Sequence, residues 1–166
     1  RTHEALAAER WQGLTMRRLI RLAVAPFADP DLDRVRIDGP RLTVPASVSG
    51  ALALTLHELL TNAAKYGALS VEDGHIAIRW SRPQTDRIRL VWSEHGGPTP
   101  EQPEREGVGM SLVRGMIGYE LKGSVTLAYP ESGLRCELTF PLTAAPRDIS
   151  SEEEAEELLA ETGQPW

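Results

Sequence analysis

A single cysteine, Cys136, stands among 166 residues, so no internal disulfide can form. It lies in an alternating apolar pattern, which predicts a buried thiol. Apolar runs are short, Leu22 to Phe27 being typical, far below the roughly 20 residues a spanning helix needs, and a soluble chain is expected. The sequence starts at Arg1 with neither an initiator Met nor a charged-then-apolar leader. It is therefore expected to be a piece of something longer, with localisation decided elsewhere. What is present, 41% hydrophobic and 25% charged residues with 14 Gly and 12 Pro, excludes disorder and fibrous architecture for most of the chain and suits one domain.

The net charge of -6 is unevenly spread. Residues 148–166 hold seven acids (Asp148, Glu152, Glu153, Glu154, Glu156, Glu157, Glu161) and no base. All 18 Lys and Arg face the remaining 17 acids in residues 1–147, so the body is near neutral. No basic run marks a nucleic-acid footprint, and no nucleic-acid or polyanion partner is expected.

Spacing predicts helices over Thr2–Arg10 and Leu14–Val24, the second stopped by Pro26. Short strands are expected at Arg34–Asp38 and Arg41–Val44 around Gly39-Pro40, then a long helix from Pro45 and Ser47 to about Tyr66, closed by Gly67. Period-two alternation marks a hairpin, with Ile76, Ile78 and Trp80 in one strand and Ile88, Leu90 and Trp92 in the other. Its opposite face carries Ala77, Arg79, Arg87, Arg89 and Ser93 and should meet water. A Gly- and Pro-rich loop over His95–Gly109, a helix over Ser111–Leu121 and strands at Val125–Tyr129 and Leu134–Phe140 follow. The pattern predicts a two-layer α/β sandwich: an antiparallel-rich mixed sheet of about five strands, covered on one face by about three helices.

Three features carry chemistry. Glu58, Asn62 and Lys65 share one stripe of the long helix, among apolar Leu52, Leu56, Leu59, Leu60 and Ala63. Hard oxygen donors for Mg²⁺ and a point charge for phosphate are what a magnesium–triphosphate requires. The segment from Trp92 through Glu94 to Gly96-Gly97-Pro98 ends a strand, and Gly107-Val108-Gly109 opens a helix whose N–H groups suit phosphate oxygens. Each glycine box alone is a common turn signal, but the order of the three is distinctive.

The run from Leu56-His57-Glu58 through Asn62-Ala63-Ala64-Lys65-Tyr66-Gly67 to Ser70, with Trp92-x-Glu94-x-Gly96-Gly97-Pro98 and Gly107-x-Gly109-x-x-Leu112-Val113, resembles the ATP-binding domain of HWE-type sensor histidine kinases. The letters would be His57, Trp92 and Glu94. The likeness runs from about His3 to Leu142 and takes in Arg10-Trp11-x-Gly13 and the closing Gly133-Leu134-x-Cys136-x-Leu138 strand.

The resemblance implies the Bergerat fold, ATP and Mg²⁺ as cofactors, and a bacterial cytoplasmic two-component kinase whose parent could be membrane-anchored. It implies a catalytic Glu58 beside the γ-phosphate, Asn62 as Mg²⁺ ligand, and Lys65 on phosphate. Tyr66 joins the nucleotide-binding set, Glu94 reads the adenine amino group, Gly96 keeps the base wall open, and Gly107 and Gly109 hinge a short Pro-rich lid over Thr99–Glu106. Implied partners are the dimerisation and phosphoacceptor domain of the same kinase and a response regulator, with a homodimeric parent among the expected assemblies and no membrane contact by this piece.

The implied layout is the end of a dimerisation helix and linker in 1–12, the catalytic domain in 13–145 and an acidic tail in 146–166. Capping-box patterns at Ser150 and Ser151 encourage a short helix over Glu152–Glu161. The acceptor histidine is expected outside this chain, since His3 lacks the surroundings of a phosphosite. Trp92 reads as a core side chain touching no ligand, His57 as structural, and Gly115 and Gly118 as sites of close helix–sheet packing. His75 and His95 lack metal-ligand company in the sequence. Two rivals stay open: an anti-sigma-type serine kinase on the same fold, and a degenerate non-catalytic docking domain.

Overall fold

A computed structural model describes residues 13–29 and 33–142. The expectations for Thr2–Arg10, the 1–12 linker, His3 and the 146–166 tail lie outside the described residues.

Strand β1 (Leu14–Thr15) precedes helix α1 (Met16–Val24), so the predicted helix is two residues shorter than expected. The reason is the cap: the Thr15 hydroxyl accepts the Arg18 N–H at 3.2 Å, which requires extended backbone at Thr15. Leu14 and Thr15 then pair antiparallel with β3 (Thr43–Val44). Met16, Leu19, Ile20, Ala23 and Val24 bury one face of α1, as their spacing requires.

Helix α2 (Ala46–Lys65) buries Leu52, Leu56, Leu59 and Leu60 completely. Each contributes about 2 kcal/mol of transfer free energy as an upper bound. Packing therefore holds α2, which contains Gly50 and β-branched Val48 and Thr55, more than intrinsic propensity does.

The main sheet has the order β2-β4-β5-β7-β6, formed by β2 (Val35–Asp38), β4 (His75–Gln84), β5 (Arg87–His95), β6 (Ser124–Ala128) and β7 (Arg135–Pro141). β2 joins β4 in parallel, and the other three pairings are antiparallel. The mixed five-stranded sheet predicted from alternation is present. Ile76, Ile78, Trp80, Ile88, Leu90, Trp92, Cys136, Leu138 and Phe140 are buried on the helix side, whereas Arg79 and Arg89 on the other face are exposed. At the Gly39-Pro40 turn the Trp80 ring occupies the space a Cβ on Gly39 would need, 2.2 Å away, and its indole N–H donates to the Pro40 carbonyl at 2.7 Å.

The last helix differs from expectation. Helix α3 (Val108–Arg114) starts three residues before Ser111, capped by Gly107, and passes into a π-helical stretch at Gly115–Glu120. A Cβ at Gly115 would meet nothing within 4 Å, and at Gly118 only the Gly123 carbonyl at 3.9 Å, so neither glycine serves close packing. Nothing in the structure assigns either a packing role. Among the described residues, no helix is long and apolar enough to cross a membrane.

Candidate nucleotide site

A cavity of about 500 Å³ opens between the C-terminal end of α2, the ends of β5, β6 and β7, and the loop leading to α3. Its apolar floor is Met110, Leu127, Leu134 and the Tyr129 ring, and Asn62, Tyr66 and Glu94 supply polar groups on the wall. Pro98, Pro100 and Pro103 stiffen the loop that forms the far side.

Glu94 is 3% exposed, and its carboxylate is held from two sides. The Ala68 N–H donates to Oε1 at 2.9 Å, and the Trp92 indole N–H donates to Oε2 at 2.9 Å. No ion pair reaches it among the described residues. Two glycines make the room: a Cβ on Gly67 would lie 2.1 Å from Oε1, and one on Gly133, whose φ is +143°, 1.9 Å from the Glu94 carbonyl oxygen. The turn bearing Ala68 is itself tied down by Arg34, which donates through Nε to the Gly74 carbonyl at 3.1 Å and through Nη2 to those of Val71 at 2.5 Å and Ala68 at 3.3 Å.

The stripe on α2 is divided in space. Asn62, half-buried, faces the cavity. Glu58, one turn earlier and half-buried, lies at the rim, where a Cβ on Gly109 would come within 2.5 Å of its Oε2. Lys65 is exposed and outside the cavity wall, while Tyr66 lines it and is 74% exposed. Gly107 and Gly109 both line the cavity. Gly96 does not: with φ +74° it turns the chain against the Asp73 carbonyl, 2.8 Å from where its Cβ would be, and Gly97 forms the wall instead. Gly96, expected to keep the base wall open, therefore lies outside the wall of this cavity.

The loop is anchored at its far end. Arg114 Nε donates to both Glu106 carboxylate oxygens, at 2.7 and 2.9 Å, and Nη1 to the Val125 carbonyl at 3.3 Å. Burial, and then the Glu106 charge, raise the Tyr129 phenol above its ordinary pKa, with Arg114 acting against them.

His57 is exposed and meets the Phe27 ring edge-on at 5.5 Å, in keeping with a structural role. His75 and His95 are register partners across the hairpin, stacked at 5.2 Å. The floor residues Leu127 and Tyr129 and the Ala68 N–H were missed from sequence. Leu127 and Tyr129 did carry a signal, since the alternation of β6 carried one residue past its end puts them on one face.

A mixed sheet under helices thus carries a cavity walled by a polar-striped helix, a strand-end acid and a glycine turn into a helix. No protein-family model matches the chain. It is 37% identical over 144 residues to the blue-light-activated histidine kinase of Brucella abortus (strain 2308), a match covering 85% of this chain and 29% of that protein. The chain thus spans about three-tenths of the curated relatives it matches.

Among solved structures it is similar to the histidine kinase domain of Erythrobacter litoralis EL346 blue-light activated histidine kinase (22% identity, TM-score 0.60, covering 75% of this chain and 59% of that one). It is also similar to the catalytic domain of histidine kinase ThkA (20% identity, TM-score 0.59, 80% of this chain and 97% of that one). ThkA in complex with the response regulator TrrA is matched with a TM-score of 0.58 at 20% identity, over 84% of this chain and 47% of that one. Sequence and fold agree on the histidine kinase catalytic domain.

Proposed function

We propose that the chain binds Mg–ATP in this cavity and transfers the γ-phosphoryl group to a histidine outside it, for relay to a response-regulator aspartate. The observation that carries the reading is the Glu94 carboxylate, buried at the cavity wall with both oxygens oriented by fixed N–H donors. Each oxygen keeps a lone pair beyond the one in use, so the group can still accept from an exocyclic amino group.

The residues present fit the nucleotide. The apolar floor suits a flat base, Asn62 offers an uncharged oxygen donor for Mg²⁺, and Gly107, with nothing within 4 Å of where a Cβ would be, leaves backbone open on the cavity wall. When bound, Mg²⁺ supplies neutralising charge to the phosphate oxygens. Asn62 holds and orients that charge. Glu58 at the rim accepts the proton from the incoming imidazole or orients its ring. The loop held by Glu106 and Arg114 limits water at the phosphate end. Lys65, exposed at the last turn of α2, would meet phosphate through its long stem.

The His57, Trp92 and Glu94 set supports the HWE-type subclass, a cytoplasmic location where ATP is supplied, and a phosphoacceptor domain and response regulator as partners. Calorimetry tests the reading: ATP binds with Mg²⁺ and far more weakly without it, and GTP binds poorly. Absence of ATP binding with Mg²⁺ present would leave only a docking role.

A further inference from the structure

We propose that Trp92 is a positioning residue that sets base selectivity through Glu94, an inference that rests on the nucleotide reading above. Trp92 is completely buried and is not among the residues lining the cavity. In the sheet it sits between Ile78 on β4 and Cys136 on β7, an environment any large apolar side chain would satisfy. The indole nitrogen distinguishes it. A buried N–H needs an acceptor, and this one donates to Glu94 Oε2 from two residues along the same strand face.

The opposite oxygen takes the Ala68 N–H from the turn after α2. A carboxylate clamped at both oxygens by donors on two different elements cannot rotate about its last bond. Its remaining lone pairs then point along fixed directions at the wall. An adenine amino group finds an acceptor there; a guanine carbonyl at the same edge finds an acceptor facing an acceptor, which is the stronger basis for rejection. With the Trp92 donor removed, the carboxylate is held only at Oε1 and can turn away from both bases. Selectivity falls because the preferred nucleotide loses more.

The full chain is titrated with ATP and GTP at constant Mg²⁺, unmodified and as Trp92→Phe. The unmodified chain prefers ATP. Trp92→Phe weakens ATP binding by about tenfold and leaves GTP binding nearly unchanged, so the ratio drops. Equal weakening of both nucleotides, or an unchanged ATP affinity, overturns the proposal and leaves Trp92 a packing residue. Failure of the unmodified chain to bind either nucleotide overturns the functional reading itself.

A second measurement needs no variant at residue 92. The Trp92 indole N–H resonance in the unmodified chain shifts when ATP saturates the site and moves much less with GTP. A resonance insensitive to ATP refutes the coupling even if Trp92→Phe fails to fold. Finally, Glu94→Gln sets an amide NH₂ against one of the two donors, and adding Trp92→Phe relieves that clash. The double variant melts higher than additivity predicts; simple additivity counts against the clamp.

Discussion

Substituting Gly67 by Ala should distort the cavity wall and destabilise the fold at one stroke. The added Cβ falls 2.1 Å from Glu94 Oε1 and 3.1 Å from the Ala63 Cα, so neither neighbour leaves space for it. Ala63 is fully buried on α2 and cannot retreat without moving the helix. The carboxylate must therefore move, breaking the bonds from the Ala68 N–H and the Trp92 indole N–H. Hydrogen bonds to charged groups are worth about 1.5–3 kcal/mol each, and the two donors would be left buried. Partial relaxation of the turn recovers some of that, so the expected loss is about 3 kcal/mol. Against a typical total of about 5–15 kcal/mol, this is a large fraction. Urea unfolding should show a lower midpoint at constant slope. Calorimetry on the still-folded fraction should show weakened ATP binding. A Gly67→Ala chain that unfolds at the parent midpoint would refute the description of this clamp.

Four further outcomes are expected. Asn62→Ala should abolish Mg²⁺-dependent ATP binding and transfer by the full-length kinase while shifting the melting temperature by no more than about 2 °C, because Asn62 is only half-buried and lines open space; wild-type transfer would remove it from the metal site. Burial pushes the Cys136 thiol from its ordinary 9.0 up to about 12, so alkylation at pH 8 should track unfolding, and fast labelling of folded protein would contradict it. Because the folded value is the raised one, the stabilisation linked to Cys136 is complete below pH 9.0 and is lost as pH rises toward about 12, which urea midpoints measured across that window would show. Arg114→Ala should cost only about 0.5–1 kcal/mol, since the pair with Glu106 is largely exposed, yet should speed nucleotide release measurably in stopped-flow; an unchanged release rate would show that the loop needs no anchor.

Most of the architecture was legible because half-exposed antiparallel strands alternate. Ile76, Ile78 and Trp80 declare the inward face of β4, and Ile88, Leu90 and Trp92 that of β5, from period alone. The parallel partnership of β2 with β4 was not legible: four residues carry too little pattern to specify direction. At the site, the family likeness and helical spacing singled out Asn62 and Glu58, but angular position says nothing of height along the helix. Lys65 shares their stripe and lies at the exposed last turn of the helix, outside the cavity wall. Gly96 and Gly97 are indistinguishable as letters, and only the close approach to Asp73 assigns the turn to the first and the wall to the second. The Trp92–Glu94 bond was readable in principle, since residues two apart on a strand share a face. Alternation alone marks a buried tryptophan as apolar bulk and carries no sign of its N–H.

The pairing of strands also orders the events of folding. β4 and β5 are the longest strands, ten and nine residues, and only Thr85-Asp86 separates them. Closing so short a loop costs little chain entropy, so this ribbon can form early and by itself. β2 must instead wait for the intervening α2 to dock before its parallel partner is in place. Substitutions in the Ile78–Trp92 pair should therefore slow refolding, whereas those in Val35 or Ile37 should chiefly hasten unfolding, giving the interior and one edge of the sheet opposite kinetic signatures.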